Sequence, residues 1–345
     1  MGAKQLFTCD PIINYNTTYG TLFSILSDEL WPWIFNNFIQ IRFAFDWGSL
    51  VFDNQHLLLK NCPGIDYYNL SKDIIALKWP KVGDLIVDLI DNDYYVVMFL
   101  DWYYLSSAPS HYHEIHMPHE VFIYGYDKHS NKVYLSDNFS KGKFVRRTCS
   151  FEELELGYQL MGRGSIYWPQ IKYLKRMEKV SCNFDMELVL NSINDYLCSK
   201  RSVFCVEDQV AYGLNALYVV LNKIKDSRDK LIDIDVRPLY LLYEHKLLME
   251  KRFQYIGNQG LLSDAYSIKN RFTEIKNSFL VMRNLALKYN LNKDTDTADR
   301  VIELYESSVN KETALLNEIS YNGKSVQQSI SDSLRVRGVC ETVSS

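Results

Sequence analysis

The run Pro118-His119-Glu120-Val121-Phe122-Ile123-Tyr124-Gly125-Tyr126-Asp127, followed by Lys132-Val133-Tyr134-Leu135-Ser136-Asp137, decides how the N-terminal half is read. A histidine opens an apolar, β-branched run. Asp127 to Asn131 has turn chemistry, and a second alternating run ends in an aspartate. The pattern predicts a β-hairpin with a histidine on one strand and a carboxylate at the end of the next. A histidine beside a strand is more often structural than catalytic. The acid strengthens the catalytic reading, because a carboxylate on one ring nitrogen fixes the tautomer and leaves the other as a base.

Upstream of the hairpin, Tyr94 to Leu100 reads as a buried strand ending in Asp101-Trp102-Tyr103-Tyr104-Leu105. Asp101 is either a turn acid among packed aromatics or the wall of a pocket beside His119. The polar loop from Ser106 to Met117 carries His111, His113 and His116. With His119 these invite a metal reading. Their spacing lies in a loop rather than at i, i+4 on a helix, and only Glu114 and Glu120 add carboxylates, so no metal is expected. Downstream, Lys143 to Thr148 reads as a further strand. Ser150-Phe151-Glu152-Glu153 is a capping box at a helix start.

Toward the N-terminus, Asn14-Tyr15-Asn16-Thr17-Thr18-Tyr19-Gly20 is loop chemistry ending in capping residues. A helical pattern follows from Thr21 to Phe38, with Pro32 bending it or starting a second helix. Ile41 to Leu50 and Val51 to Leu59 read as short strands. Asp73 to Leu77 and Val82 to Asp91 read as helical. After about residue 175 the character changes: apolar residues recur at helical spacing in 183–200, 207–225, 237–257, 262–290 and 296–318, the pattern of a helical bundle. In the third of these, Glu244-His245-Lys246 and Arg252 share a helix, with His245 and Arg252 seven residues apart on one face. That reads as a polar seam between helices, with ligand contact as the alternative. Residues 323–345 are Ser-rich and read as a flexible tail.

The chain has 345 residues, of which 47% are apolar, ample for two domains. The net charge of −4 and the lack of a basic patch argue against a nucleic-acid partner. Seven scattered cysteines, none in a CxxC pair, argue for reduced thiols and a cytoplasmic protein rather than a disulfide framework. No long apolar core follows Met1-Gly2-Ala3-Lys4-Gln5, so no secretion signal is expected, and no apolar run is long enough to span a membrane.

These segments together resemble the butirosin-biosynthesis-H-type family, relatives of the bacteriocin-leader peptidases found in clusters that make nonribosomal peptides and aminoglycosides. Four stretches carry the resemblance: Asn16-Thr17 through Leu22-Phe23-Ser24-Ile25-Leu26; the strand ending Asp101-Trp102-Tyr103-Tyr104-Leu105; His119 through Asp127 with Asp137; and Glu244-His245-Lys246 to Arg252 with Met282-Arg283-Asn284-Leu285-Ala286-Leu287-Lys288. The resemblance implies an α+β papain-like domain of cysteine-peptidase type with an antiparallel sheet at 1–175, followed by a helical bundle at 176–322. It implies acyl or peptidyl transfer from a phosphopantetheine thioester on a carrier protein to a small amine, with His119 as base and Asp137 as its orienting acid, and no cofactor. Asn14, Asn16, Asp101 and Tyr103 would line the substrate or oxyanion side.

Papain-like sites place the nucleophile at the N-terminus of the first helix, where the dipole and free N–H groups favour an anion. Here Thr17 stands where the family has cysteine, and the nearest thiol is Cys9. Three readings stay open. Cys9 serves as the nucleophile; or Thr17 attacks as a hydroxyl, or His119 deprotonates the acceptor amine directly; or the protein is a catalytically inactive scaffold that binds a carrier-bound chain. A metal-dependent enzyme using the loop from His111 to His119 is a further alternative.

Overall fold

The computed structural model describes residues 2–53, 57–140, 142–159, 170–202 and 209–341, with backbone only for 140 and 322–341. In chain order the elements are β1 (Ala3–Gln5), α1 (Thr17–Ile25), α2 (Trp31–Asn36), β2 (Ile41–Ala44), β3 (Ser49–Phe52), α3 (Leu58–Asn61), β4 (Ile65–Ser71), α4 (Lys72–Lys78), α5 (Val82–Asp91) and β5 (Tyr94–Asp101). They continue with β6 (Pro118–Asp127), β7 (Lys132–Ser140), β8 (Lys143–Cys149), α6 (Phe151–Gln159), β9 (Gln170–Arg176), α7 (Met186–Leu197), β10 (Val210–Tyr212), α8 (Gly213–Asp229), α9 (Arg237–Asn258), α10 (Ala265–Asn292) and α11 (Thr295–Glu341). The chain is a mixed α+β protein with an antiparallel sheet and C-terminal helices. It divides into two compact units, residues 1–31 with 55–182, and residues 32–54 with 183–345. No helix among the described residues is long and apolar enough to cross a membrane.

The first unit is built on a seven-stranded antiparallel sheet in the order β4-β9-β5-β6-β7-β8, with β1 added beside β6. The predicted hairpin is β6 and β7. Its turn is held by Asp127, whose Oδ1 accepts from the N–H groups of His129 and Ser130 at 2.8 and 3.2 Å, while Asn131 takes the left-handed conformation such turns need. The register shifts between Ile123 and Gly125. A Cβ on Gly125 would lie 2.8 Å from the Lys4 carbonyl, so only glycine lets β1 lie against β6 here. Val82, Leu85, Ile86 and Ile90 of α5 pack on Val96, Met98, Leu100, Val121, Ile123 and Leu135 of the sheet. Each fully buried side chain of this size contributes about 1.5–3 kcal/mol. The capping box forms reciprocally: Ser150 N–H donates to the Glu153 carboxylate at 2.7 Å and Glu153 N–H to Ser150 Oγ at 3.1 Å.

Three strands of this sheet, β1, β4 and β9, escaped the sequence reading. β4 and β9 pair with each other over seven residues, and β9 also pairs with β5. Their runs, Ile-Asp-Tyr-Tyr-Asn-Leu-Ser and Gln-Ile-Lys-Tyr-Leu-Lys-Arg, are half-buried and rich in polar residues, so neither shows an apolar run. The first helix also starts at Thr17 rather than Thr21, because Asn16 caps it by accepting from Tyr19 N–H at 3.1 Å.

In the second unit, β10, β2 and β3 form a small antiparallel sheet. β2 and β3, which chain order alone assigned to the first domain, pack with α8 and α9. The seam expected on α9 is dry. Arg252 is fully buried and donates through Nε to the Phe35 carbonyl and through Nη2 to the Asn37 carbonyl, both at 2.7 Å. His245 lies 2.8 Å through Nε2 from the Ile39 carbonyl. Two side chains on one face of α9 thus satisfy carbonyls in the last turn of α2 and just beyond it. Lys246 reaches both His245 Nδ1, at 2.9 Å, and the Glu312 carboxylate; Tyr196 donates to the same Glu312 oxygen at 3.2 Å. Helix α11 runs to Glu341, through most of the stretch read as a flexible tail; residues 342–345 lie outside the described residues, as do 207 and 208 of the second predicted bundle helix.

Candidate functional site

The hairpin places its two functional side chains together. His119 sits on β6 opposite Leu100 of β5, and Asp137 on β7 opposite Val145 of β8. His119 Nδ1 donates to Asp137 Oδ2 at 2.8 Å. Asp137 is fully buried and accepts from four donors. Trp102 Nε1 shares Oδ2 with the imidazole at 3.0 Å, while the Asn138 N–H at 2.7 Å and the Thr17 hydroxyl donate to Oδ1. Four donors fill the acceptor capacity of an ionised carboxylate. Burial works against a charge on His119, but the adjacent Asp137 carboxylate outweighs it and holds the imidazole pKa above its ordinary value. The Trp102 ring lies 4.4 Å from the His119 ring. With Nδ1 tied to the acid, Nε2 is the basic nitrogen of neutral His119.

Thr17 reaches this centre from the first turn of α1, where its hydroxyl meets the Asp137 carboxylate and, at 3.4 Å, Asn138 Oδ1. Thr17 and His119 are therefore two donors on one acid, rather than a nucleophile feeding a base that feeds an acid. Cys9 is not brought to the site. Its Sγ lies 3.3 and 3.4 Å from the carbonyls of Phe23 and Ser24, at the end of α1 opposite Thr17. Burial pushes its thiol pKa up, and a helix C-terminus disfavours a thiolate.

Asn16 is the cap of α1. Asn14 closes the loop before it: its carbonyl accepts from the Asn138 side chain at 3.2 Å, next to Asp137. Asp101 is buried and accepts through Oδ1 from the N–H groups of Tyr103 and Met117, at 3.1 and 2.9 Å. Its other oxygen lies 2.7 Å from His116 Nδ1, and the His116 ring stacks on Tyr103 at 4.1 Å. The sequence reading missed this second histidine–carboxylate pair: residues 102–117 separate β5 from β6, and nothing local shows that the segment returns His116 to the strand end carrying Asp101. Glu120, weighed in the sequence only as a carboxylate beside the histidines, accepts from Thr18 Oγ1 at 3.3 Å and from Lys172. Burial lowers the Lys172 pKa, but Glu120 reverses the balance and holds it above the ordinary value. Lys172 comes from β9, itself unread, so nothing local signals the pair.

The four loop imidazoles do not converge. His116 and His119 each face their own acid, His111 meets the Trp102 ring edge-on at 5.1 Å, and His113 lies against Tyr112 at 4.1 Å. Among the described residues, no three His, Cys, Asp or Glu side chains form a group able to hold a metal ion. Compared with known proteins, the chain matches no protein-family model and no curated protein. What the site can do chemically is accept a proton at an imidazole whose charge, once formed, is stabilised by a buried carboxylate.

Proposed function

We propose that the chain transfers an acyl or peptidyl group from a carrier-protein thioester to an amine, its first unit acting as a papain-like domain of the butirosin-biosynthesis-H type. The observation that carries this reading is the His119–Asp137 pair at the N-terminus of α1. His119 Nε2 takes a proton from the acceptor nitrogen as that nitrogen attacks the thioester carbonyl. The C–S bond then breaks, and the departing sulfur receives the proton from His119. Because the Thr17 hydroxyl is committed to Asp137, the transfer is direct and no acyl-threonine forms.

A pantetheine thioester and an amine, followed by intact-protein mass and product chromatography, test this. We expect amide product with no acyl adduct on the protein, and a loss of about 100-fold or more in His119→Ala, typical of removing a general base. Undiminished turnover in His119→Ala defeats the reading. Among the described residues the Thr17 hydroxyl meets Asp137 and not His119, which also favours a second reading, a non-catalytic protein that binds the carrier-bound chain; carrier binding with no amide product selects it.

A further inference from the structure

Resting on the acyl-transfer reading, we propose that the His116–Asp101 pair is the docking site and first proton acceptor for a protonated primary amine, the acceptor substrate. The corner after β5 carries two copies of one device. Trp102 and Tyr103 are consecutive; the His119 ring lies 4.4 Å from the first and the His116 ring 4.1 Å from the second. Each imidazole presents Nδ1 to a buried carboxylate, His119 to Asp137 at 2.8 Å and His116 to Asp101 at 2.7 Å. Leu100, opposite His119, and Asp101, opposite Pro118, are consecutive in β5, so both pairs are anchored at this one end of the strand.

They differ in access to water. The His116 side chain is 62% exposed and that of His119 30%. An imidazole that exposed has no packing reason to be fixed, yet an acid and a stacked tyrosine hold its ring. Fixing it directs Nε2 outward. Around it lie the rings of Tyr103 and Tyr104, with His113 on the Tyr103 ring. With Nδ1 turned to the carboxylate, Nε2 of the neutral ring is a hydrogen-bond acceptor, which suits the N–H donors of an ammonium ion.

Proton balance supplies the reason for two bases. An alkylammonium ion and a thioester give an amide, a thiol and one free proton. The nitrogen must lose one proton before it can attack and a second as it bonds to the carbonyl carbon. His116 Nε2 takes the first and passes it to water. His119 Nε2 takes the second and returns it to the departing sulfur. His119 must be neutral when the nitrogen attacks, so the first proton is taken elsewhere.

The test uses the full chain with a pantetheine thioester and either butylamine or O-methylhydroxylamine. Butylamine is protonated near pH 7, as lysine is; O-methylhydroxylamine is already neutral there. In His116→Gln, turnover of butylamine should fall about tenfold or more near pH 7 and recover toward the alkaline side, with a smaller defect for O-methylhydroxylamine. His119→Gln should lose both. Equal defects of His116→Gln with both amines, or none with butylamine, overturn the proposal and leave the acyl-transfer reading standing. A second arm needs no turnover: in 15N-labelled protein titrated with butylammonium chloride, the His116 side-chain signals should shift, and should shift less with tetramethylammonium, which has no proton to give. Unmoved His116 signals overturn the proposal. Shifted signals in a protein that makes no amide keep the ammonium site and remove the acyl-transfer reading.

Discussion

Asp137 and Glu312 are both carboxylates shut away from water, one in each unit, and they are used differently. Asp137 has both oxygens filled, and one of its donors is an imidazole with access to solvent. Glu312 takes both of its donors on a single oxygen, and its other oxygen has no hydrogen-bond partner among the described residues. Every group around it is interior. The first arrangement anchors something that meets the outside; the second ties α7, α9 and α11 to one another. A fully satisfied carboxylate poises a proton acceptor, whereas a half-satisfied one in a dry seam weakens its surroundings relative to an apolar core.

Asp137→Asn attacks the first arrangement and has the largest expected effect. An amide puts a donor where one oxygen accepted two hydrogen bonds, so two of the four donors lose their acceptor and His119 loses its tautomer control. Turnover should drop on the order of 10²–10⁴-fold; a drop under about threefold would mean that the dyad does not carry the chemistry. Lys246→Met attacks the second. It strands the Glu312 charge, which should cost about 3–5 kcal/mol in urea unfolding, and adding Glu312→Leu should recover most of that loss. If the double variant is no more stable than Lys246→Met alone, the seam is not a simple ion pair.

The smallest effect concerns pH, and here the two units should move in opposite directions. His119 has a raised folded-state pKa. Its pairing stabilises the fold fully below the unfolded value of about 6.5 and is lost as pH rises through the folded value. His245 has its pKa depressed, by burial first and then by the Lys246 charge. The folded state requires it neutral, so its contribution is present above the unfolded value and lost as pH falls below it. Hydrogen exchange by mass spectrometry at pH 5.5 and 7.5, corrected for intrinsic rates, should show less protection at the lower pH around His245 and no parallel loss around His119. Matching losses in both places would erase the contrast.

Features with a short-range cause were legible in the sequence. The β6–β7 hairpin follows from alternation and an Asx turn, α6 from its capping box, and α5 and β5 from apolar spacing. The His119–Asp137 pair followed because both residues sit on one hairpin. His116 was noted as part of a histidine loop, but its acid lay on a strand whose register was unknown. β4 and β9 were hidden because their stability comes from pairing partners about 100 residues apart in the chain, where alternation carries little information. The allegiance of residues 32–54 was hidden for the same reason: the carbonyls that Arg252 and His245 satisfy carry no mark in the sequence.

That last tie bears on how the protein is made. The donors Arg252 and His245 follow the carbonyls they bind by 206 to 217 residues. At typical translation rates of about 5–20 residues per second, the segment after α2 waits on the order of ten to forty seconds for them. Through that interval the apolar strands β2 and β3 are outside the ribosome without the helices that cover them.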